Sequence, residues 1–311
     1  MAKPGVIPLR PLALGEIVDG AISFIRGNPL VTLGLSAVVI AITQVIQIPS
    51  ALAVGGDLDA LTDPKLANPE VLLTAAGSVL EKTLVGAFIS SLAISVLTGV
   101  LIVVLSQAVL GRKMGAGDAW RAVRGRVPGL IGISLLSILA MLLVLAIGLV
   151  PALIAYLTGS SASAVAGLAL LGLLLASVVS VYLWVVWSLI GPVYVLEHTP
   201  ALRTFGRSRA LARPQWWRIF GILLLSGIIA FVIEMMISFP FGVLANGATL
   251  FSGGNTNAFT PLTVVIASIG AIIGGTITAP FRAGVIGLVY FDQRIRREAL
   301  DITLQRATGQ Q

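Results

Sequence analysis

Long apolar runs separated by short polar segments dominate the chain. Six of these runs exceed the ~20 residues that an α-helix needs to cross a lipid bilayer. They are residues 30–54, 83–110, 129–157, 164–196, 219–246 and 261–290. A backbone exposed to lipid must satisfy its own hydrogen bonds, and no strand-length alternation is visible, so the runs predict helices. The pattern predicts an all-α, polytopic integral membrane protein with six transmembrane helices.

The composition supports the same class. Hydrophobic residues make up 57% of the 311 residues, charged residues only 11%, and the mean hydropathy is +1.02. In a typical soluble domain, about a quarter of the residues are charged. A water-soluble chain of this length could not cover its surface with so few charges.

Residue types that many functional sites require are scarce. The chain has no cysteine and a single histidine, His198, which excludes disulfides, thiolate metal sites and multi-histidine metal sites. The first apolar run follows 29 residues and is longer than the ~7–15 apolar residues of a signal peptide. We therefore expect no cofactor, no metal site and no cleaved signal.

Basic residues gather in every second polar segment, which sets the expected orientation. They are Lys3, Arg10 and Arg26 before the first run, Arg112, Lys113, Arg121, Arg124 and Arg126 after the second, Arg203, Arg207, Arg209, Arg213 and Arg218 after the fourth, and Arg294, Arg296, Arg297 and Arg306 after the sixth. The alternate segments hold only Lys65 and Lys82. Because cytoplasmic loops carry the excess of lysine and arginine, both termini are predicted to be cytoplasmic.

The two middle basic segments are candidates for contact with anionic lipid of the cytoplasmic leaflet, since each basic residue near such a surface contributes ~1 kcal/mol. The candidate residues are Arg112, Lys113, Arg121, Arg124, Arg126, Arg203, Arg207, Arg209, Arg213 and Arg218. Trp216 and Trp217 stand where interfacial aromatic residues belong. A pI near 10.4 also suits nucleic-acid binding, but no element that would stack on or read bases is visible, so no nucleic-acid partner is expected.

Three similar stretches indicate an internal repeat. They are RGNPLVTLG at 26–34, RGRVPGLIG at 124–132 and RPQWWRIFG at 213–221, and each opens a predicted spanning helix. We predict one membrane domain, residues 1–311, with parallel repeats 12–110, 116–196 and 199–290 and a cytoplasmic tail 291–311. Any axis relating parallel repeats would run along the membrane normal. The alternative is that cytoplasmic loops entering helices commonly carry arginine and glycine.

A short interfacial helix is expected before each of the three stretches. In the first, residues 14–27 bring Ile17, Ala21 and Phe24 to one face. In the second, Asp118 is the expected N-cap. In the third, Thr199 is the expected N-cap and Pro200 the first helical residue.

The two ends of the chain resemble the membrane domain associated with glycerophosphoryl diester phosphodiesterases. The stretches are PLRPLALGEIVDGAISFIRGNP at 8–29 and APFRAGVIGLVYFDQRIRREALD at 279–301. Matching positions are Pro8, Leu9, Arg10, Pro11, Gly15, Glu16, Asp19, Asn28, Pro29, Pro280, Phe281, Tyr290, Asp292, Arg294, Arg296, Arg297, Glu298 and Asp301. The resemblance implies a stand-alone protein of a bacterial cytoplasmic membrane. The soluble barrel enzyme of the fusions needs ~250 residues that this chain lacks, so no enzymatic activity is expected.

Two charged residues within apolar runs form a candidate intramembrane polar site. Glu234 lies fifteen residues after Ile219, about 22 Å along its helix, and Arg282 lies eight residues before Tyr290. Intramembrane charges are functional-site hypotheses, although hydrogen bonding of Glu234 for packing and snorkelling of Arg282 are simpler explanations. From the rise of ~1.5 Å per residue, Glu234 and Arg282 differ by roughly 10 Å in position along the helix axes. We therefore do not rely on a direct ion pair between them.

Two other segments have structural explanations. Gly270 and Gly274 place small residues on one face of the last helix, which predicts close packing against another helix. Residues 69–82 begin with an N-cap, a proline and an acid, which predicts a helix on the outer surface.

Two functions fit these patterns. The first is a non-enzymatic scaffold or accessory protein that contacts anionic lipid or a membrane-protein partner, and the long basic segments favour it. The second is a transporter or lipid-handling protein with a polar site between the repeats, and Glu234, Arg282 and the repeat favour it. We favour the first.

Overall fold

The structure, a computed structural model, describes residues 10–62, 69–251 and 260–298. Within these ranges every regular element is helical, which confirms the all-α class. The α-helices are α1 Leu14–Gly27, α2 Pro29–Thr62, α3 Pro69–Val109, α4 Ala116–Val123, α5 Val127–Leu157, α6 Ala162–Trp187, α7 Ile190–Glu197, α8 Ala201–Ala212, α9 Trp216–Phe251 and α10 Pro261–Glu298. Short 3₁₀ turns, Arg124–Arg126 and Arg213–Gln215, connect α4 to α5 and α8 to α9.

Six segments of the described chain are long and apolar enough to cross a membrane. They are Pro29–Gly55, Gly77–Val109, Ala116–Leu157, Ala162–Glu197, Ala201–Ala245 and Pro261–Glu298. Each overlaps one of the predicted runs, so the prediction of six spanning helices is confirmed. The chain is a multi-pass membrane protein by this criterion.

Several helices extend beyond their predicted ends. α3 runs without a break from Pro69, so the helix expected at 69–82 is the first part of a spanning helix. α10 continues to Glu298, so the boundary placed at residue 290 between the last repeat and the tail lies inside a helix. Residues 63–68 and 252–259, which fall in the polar segments that alternate with the basic ones, lie outside the described residues, as does the tail after 298.

The fourth predicted helix is interrupted. α6 ends at Trp187 and α7 begins at Ile190, with Ser188 and Leu189 between them. Pro192 accounts for the break, since it has no N–H to donate and its ring clashes with the carbonyl four residues earlier, that of Ser188. The Ser188 hydroxyl donates to the Val185 carbonyl oxygen at 2.8 Å and closes the last turn of α6.

The three short helices predicted before the similar stretches are present as α1, α4 and α8. α1 has the predicted bounds and buries Ile17, Ala21 and Phe24. Both predicted caps are wrong. α4 begins at Ala116, so Asp118 lies in its first turn, and the N-cap position of α8 is Pro200. The Thr199 hydroxyl instead donates to the Val193 carbonyl oxygen at 3.3 Å.

α10 lies at the centre of the packing, against α9, α2, α3 and α1. Close approach depends on glycines. A Cβ at Gly284 would lie 3.1 Å from the Ala21 Cβ of α1, and a Cβ at Gly270 would lie 2.9 Å from the Phe241 Cβ of α9. The predicted small-residue face of the last helix is therefore confirmed as a contact between α9 and α10.

The long helices pack as consecutive antiparallel pairs, α2 with α3, α5 with α6 and α9 with α10. In the α5/α6 pair the backbones meet directly, since a Cβ at Gly148 would lie 2.6 Å from the Gly172 carbonyl oxygen. The described elements follow the order short helix, long helix, long helix three times. Whether the three units superpose about one axis stays a prediction.

Candidate functional site

Buried ion pairs connect the two ends of the described chain. Asp292 of α10 is fully buried and accepts hydrogen bonds from the Leu12 backbone N–H at 2.8 Å, from Arg296 Nε at 2.9 Å and from Arg218 Nη1. Arg218 and Arg296 also donate to the Leu12 carbonyl oxygen, at 2.7 and 3.1 Å. We call these four residues the Asp292 cluster. It fixes the segment before α1 against α9 and α10.

A second cluster of charges joins α7, α8 and α10. Arg207 donates from Nε to Glu197 Oε2 at 2.8 Å and also pairs with Glu298. Arg294 donates to Glu298 Oε2 at 2.8 Å, and the Tyr290 hydroxyl donates to Glu197 Oε1 at 3.0 Å. The Glu197 side chain is only 13% exposed. This Glu197 cluster holds the end of α7, α8 and the end of α10 in one arrangement.

Arg126 contacts the end of α7. Its Nη1 donates to the Val195 carbonyl oxygen at 2.6 Å and lies 3.4 Å from the Tyr194 carbonyl oxygen. Carbonyl groups in the last turn of a helix lack intrahelical partners, and a cation there also interacts favourably with the helix dipole. Arg126, the Asp292 cluster and the Glu197 cluster lie at one end of the helix bundle. We call this end the basic end.

The ten candidate lipid contacts fall into two groups. Arg126, Arg207 and Arg218 are partly buried and donate to the internal acceptors just described. The other seven are exposed, and they are Arg112, Lys113, Arg121, Arg124, Arg203, Arg209 and Arg213. Arg121 pairs with Asp118 at 2.5 Å, although both side chains are more than half exposed. The internal ion pairs therefore leave most of the predicted basic surface accessible.

One exposed arginine borders a crevice with tryptophans. Tyr182, Arg213, Pro214, Gln215, Trp216, Trp217 and Arg218 line a space of about 610 Å³ between α6 and the start of α9. The Trp216 ring stacks on Phe220 at 5.2 Å between ring centroids, and Trp217 is 77% exposed. We call this the tryptophan crevice. It combines a cation, the exposed indole ring of Trp217, the partly buried indole ring of Trp216 and the positive end of the α9 dipole.

A smaller pocket lies between the ends of α1 and α3. It has a volume of about 300 Å³, and Arg112 and Lys113 line it together with Ser23, Phe24 and Asn28. The Asn28 side chain donates to the Met114 carbonyl oxygen at 2.8 Å and fixes one side of the opening. This pocket is a second site at which exposed basic side chains lie next to apolar residues.

The structure brings Glu234 and Arg282 together. Arg282 Nη2 lies 3.5 Å from Glu234 Oε2, although the helical rise separates the two residues by roughly 10 Å along the helix axes. The length of the arginine side chain closes that difference. Thr278 Oγ1 also lies 3.5 Å from Glu234 Oε2. A Cβ at Gly274 would lie 3.2 Å from Glu234 Cγ, so the carboxylate side chain also packs against α10.

Arg282 also faces an open groove between α6, α9 and α10. Trp184, Leu223, Leu224, Ser226, Gly227, Ile228, Phe231, Arg282 and Ile286 line a volume of about 520 Å³. Among these described lining residues, Arg282 alone is charged. We call this the Arg282 groove. Arg282 lines the Arg282 groove, whereas its partner Glu234 does not.

Sequence reasoning missed the acids of the two clusters. Glu197 and Asp292 lie next to basic segments, where the distribution of charges predicts solvated flanks. A usable signal was present, because Asp292 is one of the few acids among the basic residues that follow the sixth apolar run. Within the ranges that the structure describes, no three His, Cys, Asp or Glu side chains are grouped as a metal site would require.

No family model, no curated protein and no solved structure matches this chain.

Proposed function

We propose that the chain is a non-enzymatic integral membrane scaffold or accessory protein that binds anionic lipid at its basic end. The tryptophan crevice is the observation that carries the proposal. Arg213 is exposed there and has no acidic partner among the described residues, so its guanidinium is available to a phosphate. Guanidinium groups form paired hydrogen bonds with phosphate oxygens.

The indole rings of the tryptophan crevice support the same conclusion. Trp217 and its neighbour Trp216 have an apolar body and a polar N–H, which suits the boundary between headgroups and acyl chains. The Trp216 Nε1 donates to the Tyr182 carbonyl oxygen at 3.4 Å, which fixes that ring against α6. Trp217 is left to contact lipid. The basic end is proposed to face the cytoplasm, where the anionic lipids and the excess of basic residues are expected together.

The proposal is tested by native mass spectrometry of the protein reconstituted with equal amounts of phosphatidylglycerol and phosphatidylcholine. The wild type is expected to retain the anionic lipid in preference. Arg213→Gln is expected to lower the affinity for phosphatidylglycerol about fivefold, the equivalent of ~1 kcal/mol for one basic residue.

Arg121→Gln is the matched control. It removes one exposed arginine of the same end whose charge Asp118 already offsets at 2.5 Å, so a smaller change is expected. Equal retention of the two lipids by the wild type would refute lipid binding at the basic end. An unchanged affinity in Arg213→Gln would refute the assignment to the tryptophan crevice.

A transporter or lipid-handling protein is the second candidate function, and the Arg282 groove favours it. An open space beside an intramembrane charge is what such a protein needs within the bilayer. The likeness to the phosphodiesterase membrane-domain family is compatible with both candidates and stays a prediction.

A further inference from the structure

The Arg282 side chain has hydrogen-bonding capacity that its partner does not use. A guanidinium carries five N–H donors. Its one acidic neighbour among the described residues, Glu234, lies 3.5 Å away, which is longer than the ~2.7–2.9 Å of a charge-assisted hydrogen bond. The well-formed pairs of the basic end, such as Arg207 with Glu197 at 2.8 Å, differ clearly from this one.

Arg282 is also accessible. Half of its side chain is exposed, and it opens on the Arg282 groove. Its backbone lies ten residues before Asp292, so it is about 15 Å further along α10 from the basic end. Placing a charge at such a depth on a lone helix is unfavourable in free energy. An anion in the groove would offset part of that cost.

The remaining walls of the groove are suited to an acyl chain. Leu224, Ile228 and Phe231 stand on α9 with 47%, 51% and 63% of their surface exposed, and Trp184 faces them from α6. Gly227 leaves the space between them open, since a Cβ there would meet nothing within 4 Å. The volume of about 520 Å³ lies within the ~300–1,000 Å³ typical of small-ligand sites.

The depth of Arg282 favours one kind of anion. A carboxylic acid can enter hydrocarbon in its neutral form and ionise beside a cation, because protonation removes the cost of burying its charge. The phosphodiester of a phospholipid keeps its charge throughout, so its headgroup stays at the bilayer surface. The carboxylate also matches the planar fork of a guanidinium.

We propose that the Arg282 groove binds a long-chain fatty acid, with its carboxylate on Arg282 and its chain along α9. This site is independent of the lipid binding proposed for the basic end. It supplies the lipid-handling alternative with a ligand class and a location.

The test uses the full-length protein in nanodiscs of phosphatidylcholine, which contain no anionic lipid for the basic end. A palmitate that carries a photoreactive diazirine in the first half of its chain, near the carboxylate, is added and irradiated. Peptides of α9 that contain residues 223–231 are expected to carry the label. Unlabelled palmitate should compete, and phosphatidylglycerol should not.

Two variants with matched controls separate charge from shape. Arg282→Gln removes the cation and is expected to reduce labelling at least about tenfold, the loss expected of one charge-assisted contact. Arg297→Gln, which removes an exposed arginine of the same helix outside the groove, should label as the wild type does. Gly227→Leu fills the groove and should also abolish labelling. Gly221→Leu, on the same helix with equally open surroundings, should not.

The outcomes decide the proposal. Loss of label in Arg282→Gln and Gly227→Leu, with both controls retained, supports the site. Equal labelling of Arg282→Gln and the wild type would overturn it, as would labels spread along all spanning helices. Competition by phosphatidylglycerol would assign the groove to a phospholipid and overturn the fatty-acid proposal. None of these results depends on the affinity of Arg213 for anionic lipid.

Discussion

Replacing Asp292 by alanine removes the acceptor that connects the two ends of the described chain. The carboxylate is fully buried, and it accepts from the Leu12 N–H at 2.8 Å and from Arg218 and Arg296. A buried N–H without an acceptor costs about 1–3 kcal/mol. Breaking a buried ion pair by removing one partner costs about 3–5 kcal/mol.

The partial exposure of Arg218 and Arg296 reduces the cost of breaking the ion pair. Their side chains are 30% and 29% exposed, so water can solvate them in the variant, and both still donate to the Leu12 carbonyl oxygen. We therefore expect Asp292→Ala to lose about 3 kcal/mol in the free energy of unfolding. Asp292→Asn keeps an oxygen for the Leu12 N–H and should lose less, about 1–2 kcal/mol.

Thermal melting in detergent, followed by tryptophan fluorescence, measures the effect. At about 2–4 °C per kcal/mol, Asp292→Ala should melt roughly 6–12 °C below the wild type. Asp118→Ala is the matched control, since it breaks the exposed pair with Arg121, which is worth at most about 0.5 kcal/mol. A melting temperature of Asp292→Ala within 2 °C of the wild type, or an equal loss in Asp118→Ala, would refute the argument.

Three further results are expected. Gly172→Ala should destabilise the protein by about 1–3 kcal/mol in a thermal melt, because its Cβ would overlap a backbone carbonyl of α5, whereas Gly167→Ala has open surroundings and should be neutral or stabilising. Cysteines at the exposed positions Ser161 and Ala210 should be labelled from opposite sides of intact cells, and labelling of both by one impermeant reagent would contradict the proposed topology. Glu234→Gln should leave the melting temperature within about 2 °C, since the ion pair is long, at 3.5 Å, and an amide oxygen can still accept from Arg282 and Thr278. A loss above about 5 °C would show a structural pair.

The spanning helices were predictable because hydropathy acts over many residues. A run of ~20 apolar residues can satisfy its backbone in lipid only as a helix, whatever its neighbours are. The helix α1 was predictable for a similar reason, since the spacing of Ile17, Ala21 and Phe24 defines a face by itself. Caps and breaks depend on single residues, so the ends of α4, α7 and α8 were less predictable.

The polar clusters could not be derived from local sequence. Asp292 and Leu12 are 280 residues apart, and nothing near either position specifies the other. The contact between Glu234 and Arg282 could not be predicted from local sequence either. The helical rise predicted an axial separation of roughly 10 Å and gave no reason to expect a contact, yet Arg282 Nη2 lies 3.5 Å from Glu234 Oε2.

The contact between Leu12 and Asp292 has a consequence for biosynthesis. At about 5–20 residues per second, the ribosome needs roughly 15–55 s to add the 280 residues that separate the two positions. Throughout that interval the segment before α1 has been made but its acceptor has not. The first short helix of the protein is therefore secured only after the sixth spanning helix has been inserted. A chain that ends before α10 would lack the acceptor of the Leu12 N–H, so its segment before α1 should be more accessible to proteases than in the full-length protein.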